Sequence, residues 1–98
     1  MQIREFQEMI RRIYFHRDSK RGIEGTYSWL VDEVKELGEA LKADRKTDLE
    51  SEFADVIAWL ASLANLTNVD LQEAALVKYD RECPKCRHSP CQCVFRLR

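Results

Sequence analysis

Apolar residues recur at steps of three and four along most of this chain, and this spacing constrains the fold more than any other feature. Residues three and four apart share one face of an α-helix, so each such run predicts an amphipathic helix. Glycine occurs three times and proline twice, too few for the frequent tight turns of a strand-rich fold. The pattern predicts helices over about residues 3–17, 27–44, 47–66 and 70–79. Because short loops join them, the expected fold class is all-α, an antiparallel four-helix bundle.

Capping signals predict where two of these helices begin. Thr47 stands three residues before Glu50, and Asp70 stands three residues before Glu73. This is the spacing of a capping box, in which each side chain accepts a hydrogen bond from the other residue's backbone amide. The side chains expected to face the core are the apolar residues of the second and third helices: Leu30, Val34, Leu37 and Leu41, then Leu49, Phe53, Val56, Leu60 and Leu63.

The formal net charge of −1 hides an acidic centre, because residues 23–55 carry ten acidic and four basic side chains. Basic residues lie on both sides of this block instead of forming the continuous basic face that a phosphate backbone requires, so no nucleic-acid partner is expected. The longest apolar stretch runs from Val56 to Leu66 and is interrupted by Ser62 and Asn65. It is too short to cross a bilayer, and a cytoplasmic protein with no membrane association is the expectation.

Four carboxylates repeat the same layout on two successive helices. Glu33 and Glu36 lie on the second predicted helix, and Glu52 and Asp55 lie on the third. At about 100° per residue, all four fall at the margin of an apolar stripe, so antiparallel packing would bring them together. Such a cluster is unfavourable unless a cation holds it, and oxygen ligands suit Mg²⁺ or Mn²⁺, which also bind substrate phosphates. A solvated helix margin is the alternative interpretation.

The two acidic pairs resemble the motif of the MazG-type nucleoside triphosphate pyrophosphohydrolases. The matching text is Asp32-Glu33-x-x-Glu36 and, after fifteen intervening residues, Glu52-x-x-Asp55, within a similarity that covers roughly residues 25–82. The resemblance implies that these four acids bind Mg²⁺ and take part in catalysis. It also implies hydrolysis of a nucleoside triphosphate between its α and β phosphates, giving a monophosphate and pyrophosphate, by a homodimer or homotetramer.

Candidate substrate-binding residues are basic or aromatic, and they are Lys78, Arg81, Trp29 and Trp59, with Arg17, Lys20 and Arg21 as further candidates for phosphate. The resemblance favours Lys78, because the family often has a basic residue there. Ordinary surface solubility is the alternative for each cation. Trp29 and Trp59 flank the acids and would either stack on a base or pack as part of the fold.

Four cysteines crowd into the last part of the chain, as Cys83-x-x-Cys86 followed by Cys91-x-Cys93. Four thiolates this close can surround one structural Zn²⁺, with His88 able to replace one of them. A redox pair and four reduced surface cysteines are the alternatives. We therefore divide the chain into a helical domain, residues 1–82, and a Cys-rich tail, residues 83–98. A non-catalytic helical interaction protein that docks a partner through a zinc knuckle is the alternative function.

Overall fold

The computed structural model describes residues 1–94, and that range contains three α-helices and no strand. Helix α1 spans Ile3–Ala43, α2 spans Lys46–Leu66 and α3 spans Leu71–Lys78. The predicted all-α class is confirmed. The part of the predicted tail from Phe95 to Arg98 lies outside the described residues.

A single residue, Gly22, divides α1 into two arms, residues 3–21 and residues 23–43. Gly22 has φ 83° and ψ 173°, a combination that essentially only glycine adopts, whereas its neighbours on both sides are helical. The two arms correspond to the first two predicted helices. The expected loop at residues 18–22 and helix start near residue 27 are wrong, because one glycine changes the direction of the chain and no longer loop is needed.

Two residues connect α1 to α2. Asp44 ends α1 in the left-handed conformation with φ 54°, and Arg45 is the N-cap of α2 but makes no capping hydrogen bond with its side chain. Thr47 therefore lies inside the first turn of α2, and the capping box predicted there is wrong. The start of α3 agrees with its capping signal, since the carboxylate of Asp70 accepts from the backbone amide of Glu73 at 3.0 Å.

Buried amides fasten the first arm of α1 to the end of α2 and the start of α3. The Gln7 side-chain amide donates to Asn65 Oδ1 at 3.0 Å and to the Val69 carbonyl at 2.7 Å. Its oxygen accepts from the Leu71 amide at 2.9 Å. The Asn65 amide in turn donates to the Gln7 carbonyl at 3.2 Å. A buried hydrogen-bond network is stable only when its members keep a defined geometry. The Gln7–Asn65 network therefore fixes the position of the first arm of α1 relative to α2 and α3.

Little apolar surface is buried within one chain. The buried apolar residues among those described are Ile10, Ala40, Ala61 and Ala64. Four side chains predicted to face inward are instead substantially exposed, namely Val34 at 49%, Leu41 at 58%, Phe53 at 58% and Leu60 at 40%. The expectation that these four side chains face inward does not hold within one chain, because its helices leave one side of the predicted apolar stripe uncovered. Within residues 1–94, no helix combines the length and hydropathy of a membrane span.

Candidate active site

Three of the four predicted carboxylates meet where the second arm of α1 lies against α2. One carboxylate oxygen from each of Glu33, Glu36 and Glu52 lies within 4.8 Å of the others. Glu33 and Glu36 share a face because they are three residues apart on one helix. The short connection at residues 44–45 folds α2 back along that face, which brings Glu52 to the same place.

Asp55 lies one turn further along α2 and is exposed. It is not part of the group of three, and it lines the adjoining pocket between the first arm of α1 and α2. Its negative charge is nevertheless among the causes that raise the pKa values of Glu33 and Glu52. The fourth predicted acid is thus a neighbour of the cluster.

The cluster is electrostatically unsatisfied on its own. Burial, and then the charge of Glu36, raise the pKa of Glu33 to about 7, and the same two causes raise the pKa of Glu52. The Oε2 atoms of Glu33 and Glu52 are shielded from solvent and have no hydrogen-bond partner. Buried polar atoms are nearly always paired, so these two oxygens fit a bound cation. Carboxylate oxygens are the ligands that Mg²⁺ and Mn²⁺ prefer.

An aromatic pair stands beside the acids. The rings of Trp29 and Trp59 are stacked, with centroids 5.6 Å apart and planes inclined by 11°. The guanidinium carbon of Arg21 lies 4.7 Å from the centroid of the Trp59 ring. Trp59 therefore packs against two neighbours, whereas Trp29 keeps half of its surface exposed.

A pocket of about 240 Å³ opens beside Asp55, between the first arm of α1 and α2, and none of Glu33, Glu36 and Glu52 lines it. Arg17 and Arg21 line it from α1, and Asp55 and Trp59 line it from α2. Lys20, the third basic candidate of this region, is exposed and is not among the lining residues. The pocket thus places two guanidinium groups beside Asp55, one helical turn from Glu52, whereas Glu36 and Glu52 themselves line a separate surface pocket of about 440 Å³ together with Arg45.

Asp18 is a buried charge that sequence reasoning assigned to a loop. It is only 2% exposed, and its Oδ1 accepts from Arg21 Nη1 at 2.8 Å. The same nitrogen lies 3.4 Å from the hydroxyl of Thr26, beyond the Gly22 break. One signal for this burial was available, because Asp18 follows the buried residues Gln7 and Ile10 by eleven and eight positions, close to the same side of the helix.

The remaining two predicted substrate residues lie elsewhere in the single chain. Lys78 lines a surface pocket with Asp70 and Glu73, and its ammonium lies 5.8 Å from the ring of Tyr79. Arg81 lines a surface pocket beside Cys83. Neither of these pockets includes the carboxylate cluster.

A family model described as the MazG nucleotide pyrophosphohydrolase domain matches residues 21–87, which is well over half of the chain. The matched range contains the three converging carboxylates, Asp55 and both tryptophans. No curated protein matches the chain significantly.

Proposed function

The chain belongs to the MazG nucleotide pyrophosphohydrolase domain family, and we propose that it hydrolyses nucleoside triphosphates to nucleoside monophosphate and pyrophosphate in a Mg²⁺-dependent reaction. The observation that carries the proposal is the meeting of Glu33, Glu36 and Glu52 inside the matched range, with two shielded oxygens that lack partners. A charged helix margin that served only solubility would keep its carboxylates hydrated and apart, because like charges repel.

The acids supply the ligands in this proposal. Glu33, Glu36 and Glu52 hold the metal, and Asp55 completes the set from the next turn of α2. Bound Mg²⁺ supplies charge neutralisation for phosphate oxygens and a lowered pKa for a coordinated water. The buried location of the Glu33 and Glu52 oxygens keeps the ligands in place, because the surrounding helices restrict their side chains.

The substrate would lie across the cluster and the adjoining pocket. Arg17 and Arg21 are our candidates for contact with phosphate oxygens, because both line the pocket that contains Asp55. The half-exposed ring of Trp29 offers a surface on which a base can stack. The roles of Lys78 and Arg81 at the phosphates stay predictions, since each lines a pocket that contains none of the four proposed metal ligands.

A nucleotide panel tests the reaction directly. We expect the protein, incubated with common ribo- and deoxyribonucleoside triphosphates and Mg²⁺, to release pyrophosphate and monophosphate in equal amounts from at least one of them. Anion-exchange chromatography of the products measures both. Excess EDTA should stop the release. Orthophosphate and diphosphate as products, or no turnover with any triphosphate, would contradict the proposal, and the latter result would favour the non-catalytic interaction protein.

We also propose that the active form is a homodimer or homotetramer. Val34, Leu41, Phe53 and Leu60 are 40–58% exposed in one chain and lie on the segments that carry the acids. Large exposed apolar side chains that recur along one side of two neighbouring helical segments are typical of an interface. A second copy that covers it would also exclude water from the margin where the carboxylates lie.

Phe53→Glu tests the interface, because it places a charge in the middle of the exposed apolar stripe. We expect the wild-type protein to sediment as a dimer or tetramer and Phe53→Glu to sediment mainly as a monomer at the same concentration. Val77→Glu is the matched control, since Val77 is 75% exposed on α3. A wild-type monomer at all concentrations, measured by analytical ultracentrifugation, would refute the assembly.

A further inference from the structure

The four cysteines form a compact sulfur cluster in the segment that follows α3. The Sγ atoms of Cys83 and Cys93 are 3.7 Å apart, and those of Cys86 and Cys91 are 3.9 Å apart. All four Sγ atoms lie within 4.8 Å of one another, and no pair is joined in a disulfide. Four sulfurs from two separate sequence pairs therefore converge on one point.

The distances fit a tetrahedral metal centre. With a Zn–S bond of about 2.3 Å, two sulfurs at neighbouring corners of a regular tetrahedron are about 3.8 Å apart. The sulfurs of a disulfide are about 2.05 Å apart. The two sulfur–sulfur separations of 3.7 and 3.9 Å lie on either side of the tetrahedral value.

The backbone of this segment holds the sulfurs in position. The Arg87 amide donates to the Cys83 carbonyl at 2.8 Å, and the Cys83 amide donates to the His88 carbonyl at 3.0 Å, so residues 83–88 form a closed turn. Arg87 takes the left-handed conformation with φ 63° within that turn. Backbone amides also point at sulfur, since Gln92 donates to Cys86 Sγ and Cys93 donates to Cys91 Sγ, both at 3.3 Å.

Packing alone does not explain the order of this segment. Residues 79–94 contain no helix or strand, and none of them is buried. A segment that buries so little apolar surface does not offset the entropy of ordering its backbone, and small modules of this kind are held by a metal or by disulfides. Since the cysteines here are free and converge, the metal is the remaining source of stability.

We propose that Cys83, Cys86, Cys91 and Cys93 bind one Zn²⁺ as four thiolates in a closed structural centre. Sulfur ligands in tetrahedral arrangement select zinc, whereas the oxygen cluster at Glu33, Glu36 and Glu52 selects Mg²⁺ or Mn²⁺. A site with four protein ligands leaves no position for substrate, so the centre orders residues 83–93 and takes no part in the hydrolysis. His88 is not required as a ligand, because four sulfurs already converge.

Metal analysis of the full chain tests the assignment. We expect one zinc per chain by elemental analysis and, after exchange with Co²⁺, the intense visible absorption of a tetrahedral thiolate site. Cys86→Ser should lower zinc occupancy well below one per chain, whereas His88→Ala should retain full occupancy. Because neither readout uses nucleotide, they are independent of whether the chain hydrolyses triphosphates.

A second measurement covers the case in which Cys86→Ser does not fold. When a strong chelator removes zinc from the wild-type protein, amides of residues 83–93 should exchange hydrogen faster while those of α1 and α2 keep their protection. Any one of four results would overturn the proposal: no zinc and no cobalt spectrum, iron in place of zinc, disulfides between the cysteines, or loss of zinc in His88→Ala.

Discussion

Glu52→Gln is expected to reduce Mg²⁺-dependent pyrophosphate release by at least about 100-fold while the helices remain folded. Residues that only support a metal ligand typically contribute 10–100-fold to metal affinity or activity, so loss of a direct ligand should cost at least as much. The neutral amide keeps the shape of the side chain but removes one of the charges that would hold the cation. The loss should appear in kcat/KM measured by a coupled pyrophosphate assay at saturating Mg²⁺.

The matched control is Glu50→Gln, two residues earlier on the same helix. Glu50 is exposed and is not one of the converging carboxylates, so its replacement should leave the activity within about twofold of the wild-type value, as most surface substitutions have small effects. Equal loss in both variants, or full activity in Glu52→Gln, would contradict the metal site.

Thermal unfolding separates ligand loss from misfolding. In EDTA, Glu52→Gln should be no less stable than the wild-type protein, because it removes one member of a group of mutually repelling acids. Added Mg²⁺ should raise the Tm of the wild-type protein, since a ligand that binds only the folded state stabilises it, and should raise the Tm of Glu52→Gln much less.

The convergence of the acids could be anticipated because it depends on local geometry alone. Two residues that are three apart on a helix share a face. A connection of only two residues favours an antiparallel arrangement, in which α2 runs back along α1. Glu33, Glu36 and Glu52 therefore meet as their spacing predicts. Asp55 is beside them instead of among them, because helical spacing predicts which face a residue occupies but not how closely its side chain approaches those of the neighbouring helix.

The parts of the fold that sequence reasoning missed depend on contacts between distant residues. Asp18 reads as a loop residue because Ser19 and Gly22 follow it, yet it is 2% exposed and its carboxylate is paired with Arg21. Phe53 and Leu41 read as core residues because periodicity identifies an apolar face without saying what covers it. A single chain leaves that face exposed, and this exposure follows from the packing of its helices, which periodicity does not describe.

The sequence predicted where the cysteine cluster lies in the chain, but it did not predict how the four sulfur atoms are arranged. The spacing of Cys83 and Cys86 already indicated a knuckle, whereas the tighter pair Cys91 and Cys93 was less informative. The turn that joins the pairs depends on Arg87 in the left-handed conformation, for which the local sequence gives no clear signal. The sequence alone therefore could not distinguish four separate reduced cysteines from four cysteines that converge on one metal site.

Gly22→Ala is expected to destabilise the protein by about 1–3 kcal/mol, because Gly22 holds a backbone conformation that side chains with a Cβ adopt only under strain. The space around the new methyl group is open, so no clash adds to the cost and the effect isolates the backbone. For a domain of this size each kcal/mol lowers Tm by roughly 4–8 °C. Equilibrium urea unfolding and thermal unfolding at one protein concentration measure the change.

Gly38→Ala provides a control with the opposite sign. Gly38 is also free of neighbours at its Cβ position but lies in regular helix, where alanine is preferred to glycine by roughly 0.5–1 kcal/mol. Replacement of glycine by alanine should therefore raise the free energy of unfolding at position 38 and lower it at position 22. If Gly22→Ala were as stable as the wild-type protein, α1 would be continuous in solution. In a continuous helix, the positions of Asp18 and Arg21 relative to Trp59 and the pocket would differ from those described here. The proposed contacts between Arg21 and phosphate would then lose their structural basis.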